Sequence, residues 1–152
     1  MDITSGLSKE LFVLILSATP FIELRGAIPL GIGFAMNPWK VYLLSVLGSS
    51  LPAPFLILFF RRSLEFLEEK RYFPRFTGFL HRHIHKKSKK LKAFSLLGLF
   101  CFVALPLPST GAYTGSALAS ILNIRLKYSF PVILLGNMTA GLLVMILSHI
   151  LF

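Results

Sequence analysis

The stretch Thr19–Pro29, TPFIELRGAIP, decides the fold of this chain. It lies inside an apolar run and sets a carboxylate and a guanidinium two residues apart, at Glu23 and Arg25. A charged side chain in hydrocarbon costs about 3 kcal/mol or more, so ionisable groups within a membrane segment mark function by default. Pro20 and Pro29 bracket the pair, and Gly26 follows it. Proline removes a backbone donor and glycine weakens a helix, which argues against one continuous spanning helix. The expectation is a helix that enters the membrane, breaks at Glu23–Arg25 and turns back.

Composition sets the class around that stretch. The chain has 152 residues, of which 55% are hydrophobic and 14% charged. Soluble domains carry roughly 25% charged residues, so this is expected to be an integral membrane protein. The single cysteine, Cys101, excludes an internal disulfide. Met1–Glu10 has no net positive charge, and Leu11–Ala18 leads into Pro20 and Glu23 rather than a cleavage site, so no signal peptide is expected. The net charge of +10 could suggest nucleic acid, yet eleven of the sixteen basic residues fall between Arg61 and Lys92. Such clustering in one polar loop is the signature of a cytoplasmic segment, with no nucleic acid as partner.

Four apolar blocks follow in order. Leu11–Met36 is the interrupted first block, closed by a turn at Asn37–Pro38, with Trp39, Lys40 and Tyr42 as interface anchors. Val41–Phe60 is a spanning helix of about 30 Å, kinked by Pro52 and Pro54 and ended at Arg61–Arg62. Ser63–Lys92 reads as an interfacial amphipathic segment attracted to anionic headgroups, with Phe73, Phe76 and Phe79 among Arg71, Arg75 and Arg82. His81, His83 and His85 invite a metal, but Lys86, Lys87, Lys89 and Lys90 repel a cation and no acidic or thiol ligand stands beside them. No metal and no cofactor is expected.

The third block, Ala93–Leu122, repeats the logic of the first. Its interruption is Leu105–Gly115, LPLPSTGAYTG, and its limbs, Ala93–Ala104 and Ala112–Leu122, are each about 17 Å long as helix, half the hydrocarbon thickness. Tyr128–Phe152 then spans. Pro20 aligns with Pro106, Gly26–Ala27 with Gly111–Ala112, Asn37 with Asn123, Lys40 with Lys127 and Gly48 with Gly136. The expected fold is an all-α membrane domain over 1–152, an inverted repeat of two units. Each unit is a re-entrant helical hairpin plus a transmembrane helix, at 1–60 and 93–152, joined by the cytoplasmic segment 61–92. The positive-inside rule puts that segment, Arg125 and Lys127 on the cytoplasmic side of a multi-pass protein of the cell membrane, with Lys9 and Lys40 outside. Inverted repeats whose broken helices meet at the midplane are a transporter architecture.

ELRGAIP in the first half and PLPSTGAYTG in the second resemble the small multidrug export family of short prokaryotic membrane proteins, itself similar to the wider DedA superfamily. The resemblance covers essentially the whole chain and implies paired re-entrant hairpins and membrane transport. In DedA relatives that means phosphorylated polyprenyl lipid carriers, moved in coupling to ions. By match to the motif it carries over Glu23, Arg25, Gly26 and Pro29, and Pro106, Pro108, Thr110 and Gly111. Ser109 stands where the family has glycine, and the second hairpin lacks the arginine usual in DedA proteins.

The chemistry leaves several readings open. The pair can be structural, neutralising itself at the hairpin tip. In the functional reading Glu23 carries a proton and Arg25 contacts an anionic headgroup, while helix N-termini at the midplane favour the same anion. Ser109 and Thr110 cap a helix or bind a ligand, and Asn137 lines the cavity or joins helices. No Ser/His/Asp set, metal cluster or phosphate-cradling loop is present, so no enzyme is expected. The leading expectation is a proton-coupled transporter of a small amphiphilic substrate, an anionic, phosphorylated lipid headgroup. The alternatives are efflux of lipophilic cations, with Glu23 as exchangeable counter-charge, and a scaffold that transports nothing. Membrane lipids and protons are the expected partners, with a homodimer plausible for so thin a barrier.

Overall fold

The computed structural model describes residues 3–70, 89–108 and 110–151. Every regular element among them is an α-helix: α1 Ile3–Ser17, α2 Glu23–Gly33, α3 Pro38–Ser50, α4 Ala53–Glu69, α5 Lys89–Ala104, α6 Ala112–Ile121 and α7 Leu126–Leu151. Among the described residues two stretches are long and apolar enough to cross a membrane: Pro38–Glu69, which is α3 and α4 together, and α7. The histidines and the aromatic series of the basic segment lie outside the described residues.

The first break falls earlier than the sequence suggests. The chain leaves α1 at Ala18–Ile22, and Glu23 and Arg25 stand in the first turn of α2. Pro20 has no N–H to offer the Leu16 carbonyl, and Thr19 donates to that carbonyl instead, from its N–H at 3.1 Å and its hydroxyl at 2.6 Å. The Ser17 hydroxyl joins Ala18 N–H on Leu14 O, at 2.8 Å. Pro29, expected to help break the segment, lies inside α2.

α3 and α4 meet at Leu51–Pro52, where Pro52 caps α4 and Pro54 occupies its first turn, the position a helix tolerates best. α4 does not stop at Arg61–Arg62. It runs on to Glu69, because no proline or glycine interrupts the charged residues. α5 likewise begins at Lys89, four residues before the expected limb.

α2 and α6 end alike. Ala35 and Asn123 adopt left-handed backbone, at φ 57 and 52. Met36 N–H reaches back to Gly31 O and Ala35 N–H to Ile32 O; Ile124 and Asn123 repeat the pattern on Ala119 and Ser120. Both are Schellman caps that satisfy the last carbonyls of their helices. They pair Ala35 with Asn123, at the same offset of 88 residues that separates the starts of α3 and α7 and Gly48 from Gly136. Asn37, aligned with Asn123 by letter, instead caps the N-terminus of α3 by accepting from Trp39 N–H at 3.0 Å.

α1 and α2 pack on each other and on α3; α5 lies along α7, and α6 along α4. The first core gathers Val13, Leu24, Ile28, Val41 and Val46, and the second Ile57, Leu99, Val103 and Ile133. Large apolar side chains also cover the outside, among them Phe21, Leu47, Phe55, Phe59, Leu97 and Leu147, a surface suited to lipid. Polar ties mark the two ends. At one, Lys40 pairs with Glu10 and Lys9 reaches Phe34 O. At the other, Arg61 donates to Ile124 O, which brings the α6–α7 turn with Arg125 and Lys127 beside Arg61 and Arg62.

Gly48 and Gly136 let the last turns of α1 and α5 approach the long helices. A Cβ on Gly48 would overlap the Ser17 hydroxyl and sit 2.5 Å from Leu14 O; one on Gly136 would meet Val103 at 2.8 Å. A backbone carbonyl cannot step aside as a flexible side chain can. Gly48→Ala is therefore expected to lower stability by about 1–3 kcal/mol. Gly98, mid-helix with open space around it, is the control: Gly98→Ala should stabilise by about 0.5–1 kcal/mol. Thermal melts in detergent compare them, and a Gly48→Ala melt equal to the parent would refute the close approach.

Candidate functional site

The turn after α1 delivers Glu23 in left-handed backbone, φ 49, a conformation that costs a non-glycine residue about 1–2 kcal/mol. It turns the carboxylate across the molecule toward the second break. The residue is 5% exposed. Arg25, two residues on in the same helical turn, donates from Nη1 to Glu23 Oε2 at 2.9 Å.

Both members then reach the other half of the chain. Arg25 Nη2 lies 3.0 Å from Val103 O and from Leu105 O, 3.2 Å from Thr110 Oγ1 and 3.3 Å from Thr110 O. Val103 O is one of the carbonyls that the end of α5 leaves without a helical donor. A cation there also meets the negative end of the α5 dipole. Glu23 Oε1 accepts from Tyr113 N–H, at 3.4 Å, in the first turn of α6. The pair thus supplies, from the first half, a positive cap for α5 and a negative cap for α6. Gly111 makes room: any Cβ on it would overlap the Glu23 carboxylate.

The segment between α5 and α6 is tied internally by Thr110, whose hydroxyl donates to the carbonyls of Leu105 at 2.8 Å and Leu107 at 3.0 Å. The Tyr113 hydroxyl donates to Ala18 O, closing the junction from the α1 side.

Of the residues expected from sequence, the structure brings together Glu23, Arg25, Thr110 and Gly111, with Pro106 and Pro108 in the same connecting segment. Gly26 faces its own turn, where a Cβ would overlap the Ile22 side chain, and Pro29 sits further along α2. Ser109 lies outside the described residues. Asn137 belongs to a separate cluster with Ser49 and Ser50. Sequence reasoning missed Tyr113 and the carbonyls of Val103 and Leu105. Tyr113 stands inside the quoted GAYTG and was legible as a polar aromatic; main-chain acceptors leave no letter to read.

The family described as "Putative small multi-drug export protein" matches residues 23–143, a span that opens at Glu23 and takes in both breaks. The chain belongs to this family. With two apolar stretches of spanning length, this export-family protein is a membrane protein. No curated protein and no solved structure matches the chain significantly.

Proposed function

We propose that this export-family protein moves small amphiphilic molecules across the membrane, with lipophilic cations as the leading substrates and Glu23 as the exchangeable counter-charge. The observation that carries the reading is the engagement of Arg25. Its Nη1 holds Glu23, and its Nη2 holds carbonyls of the α5–α6 segment. Both terminal nitrogens of the guanidinium are therefore engaged within the protein, with Nε left unpaired, and in this reading the carboxylate is the charged group that changes partners. A proton and a cationic substrate compete for it, and that competition couples export to a proton gradient.

The membrane arrangement belongs to the same reading. α1–α2 and α5–α6 act as re-entrant hairpins of an inverted repeat, with Glu23 and Arg25 at the midplane junction. Lys9, Phe34 and Lys40 share one end, as hairpin return requires of the first half. Arg61, Arg62, Arg125 and Lys127 share the other, which the positive-inside rule makes cytoplasmic.

A second reading has its own support. Tyr113 N–H, at the positive end of α6, holds a carboxylate where a phosphate oxygen could stand. An anionic lipid headgroup, the substrate class of the DedA likeness, would displace Glu23 from that position.

Reconstituted vesicles separate the two. With a proton gradient imposed, the wild type should extrude a fluorescent lipophilic cation, and Glu23→Gln should cut gradient-driven extrusion at least about tenfold. Gradient-dependent movement of a fluorescent polyprenyl phosphate, without cation extrusion, would replace the first reading by the second. Movement of neither would overturn transport.

A further inference from the structure

A second buried polar cluster lies where α3 breaks from α4. Asn137 on α7 has no exposed surface, and its Nδ2 donates to Ser49 Oγ at 3.2 Å and to Ser50 Oγ at 3.1 Å. Both serines are buried too. The amide oxygen, Asn137 Oδ1, is buried without a hydrogen-bond partner. Buried polar atoms are satisfied in the great majority of cases, and an orphaned one costs about 1–3 kcal/mol.

The surroundings add further acceptors, and the Ser45 hydroxyl, one turn before Ser49, is likewise buried without a partner. Pro52 and Pro54 have no N–H, so the carbonyls of Gly48 and Ser50 lose their ordinary helical donors at this break. α3 ends here, the last turn of α1 lies against Gly48, and the last turn of α5 lies against Gly136, beside Asn137. The C-terminal turns of α1 and α5, each a negative dipole end, therefore lie beside Ser49 and Asn137, while α3 continues into α4 with helical backbone at Leu51 and Pro52. Arg25 meets the one belonging to α5. Among the described residues no carboxylate joins the cluster, and no His, Cys, Asp and Glu group could hold a metal.

We infer that this cluster is a binding site for an alkali-metal cation of sodium size. Asn137 Oδ1 and the hydroxyl oxygens of Ser49 and Ser50 bind it, with carbonyls of the broken turn beside them. A set of buried neutral oxygens without a carboxylate suits a singly charged ion. A divalent ion needs carboxylates to offset its dehydration. Helix C-terminal ends are among the groups that coordinate sodium in transporters with broken helices. A role in coupling rests on the transport reading; occupancy does not.

The test is made on the full chain in detergent, at constant ionic strength, in sodium, potassium or choline chloride. The wild type should show a saturable rise in Tm with sodium over choline of about 2–4 °C, and bind ²²Na⁺ in equilibrium dialysis. Ser50→Ala should weaken the apparent affinity at least about threefold, and Asn137→Ala should abolish the response. Should Asn137→Ala fail to fold, Ser50→Ala and dialysis of the wild type decide. Equal melts in all three salts with no saturable ²²Na⁺ binding would overturn the site. That result would instead assign the amide the reverse orientation, presenting its NH₂ to the cluster's open side. No transport is measured, so a failure of export leaves this result standing.

Discussion

Arg25→Gln should lower stability by about 3–5 kcal/mol, which for a chain of this size means little folded protein survives extraction. The change strands a buried Glu23 carboxylate and removes the donor shared by Val103, Leu105 and Thr110. Arg25→Lys should recover part of the loss. An ammonium keeps the charge, but it cannot serve Glu23 and the α5 carbonyls from a planar fork. Glu23→Gln is the milder single change, since the amide oxygen can still accept from Tyr113 N–H. The double change should be less damaging than the sum of the two by about 1–3 kcal/mol, because neither charge is left alone. Full recovery is not expected, as Val103 O at the end of α5 still lacks a donor. Melting midpoints of the four proteins measure this, and an Arg25→Gln midpoint within about 0.5 kcal/mol of the parent would refute the cross-half tie.

The letters carried much of this arrangement and concealed a definite part. Pro20, Pro52 and Pro106 stand at or between helix ends, and Gly48 and Gly136 occupy matching close approaches, whereas the charged pair and Pro29 lie within α2. The position of the first break was harder to see. It depends on Thr19 substituting for the donor that Pro20 lacks, a local exchange that moves Glu23 and Arg25 out of the tip and onto α2. The partners of Arg25 were invisible because they are main-chain carbonyls some 80 residues away, whose identity depends on where α5 stops. Asn37 and Asn123 match by letter, yet one accepts from Trp39 N–H at a helix start while the other takes a left-handed turn at a helix end. Asparagine suits both tasks, so identity of residue did not mean identity of place.

Gly111→Ala tests the junction from the opposite wall. Gly111 has φ −85 and ψ −158, extended backbone that alanine adopts freely, so the loss of chain flexibility alone would stabilise by about 0.4–1 kcal/mol. The added methyl would instead overlap the Glu23 carboxylate, which is held by Arg25 on one side and by Tyr113 N–H on the other. Gly111→Ala should therefore destabilise by about 2–3 kcal/mol and reduce export with it, because the carboxylate must leave both partners to make room. Aspartate at position 23 is one methylene shorter and draws the carboxylate back by about 1.5 Å. Glu23→Asp should weaken the parent by loosening the same contacts. Combined with Gly111→Ala it should be more stable than Gly111→Ala alone, a reversal of sign that additive effects cannot produce. Melting midpoints of the four combinations decide. If Gly111→Ala melts above the parent, the gain from chain stiffening stands unopposed and the carboxylate is not lodged against Gly111. If Glu23→Asp worsens Gly111→Ala as it does the parent, the overlap lies elsewhere on the residue.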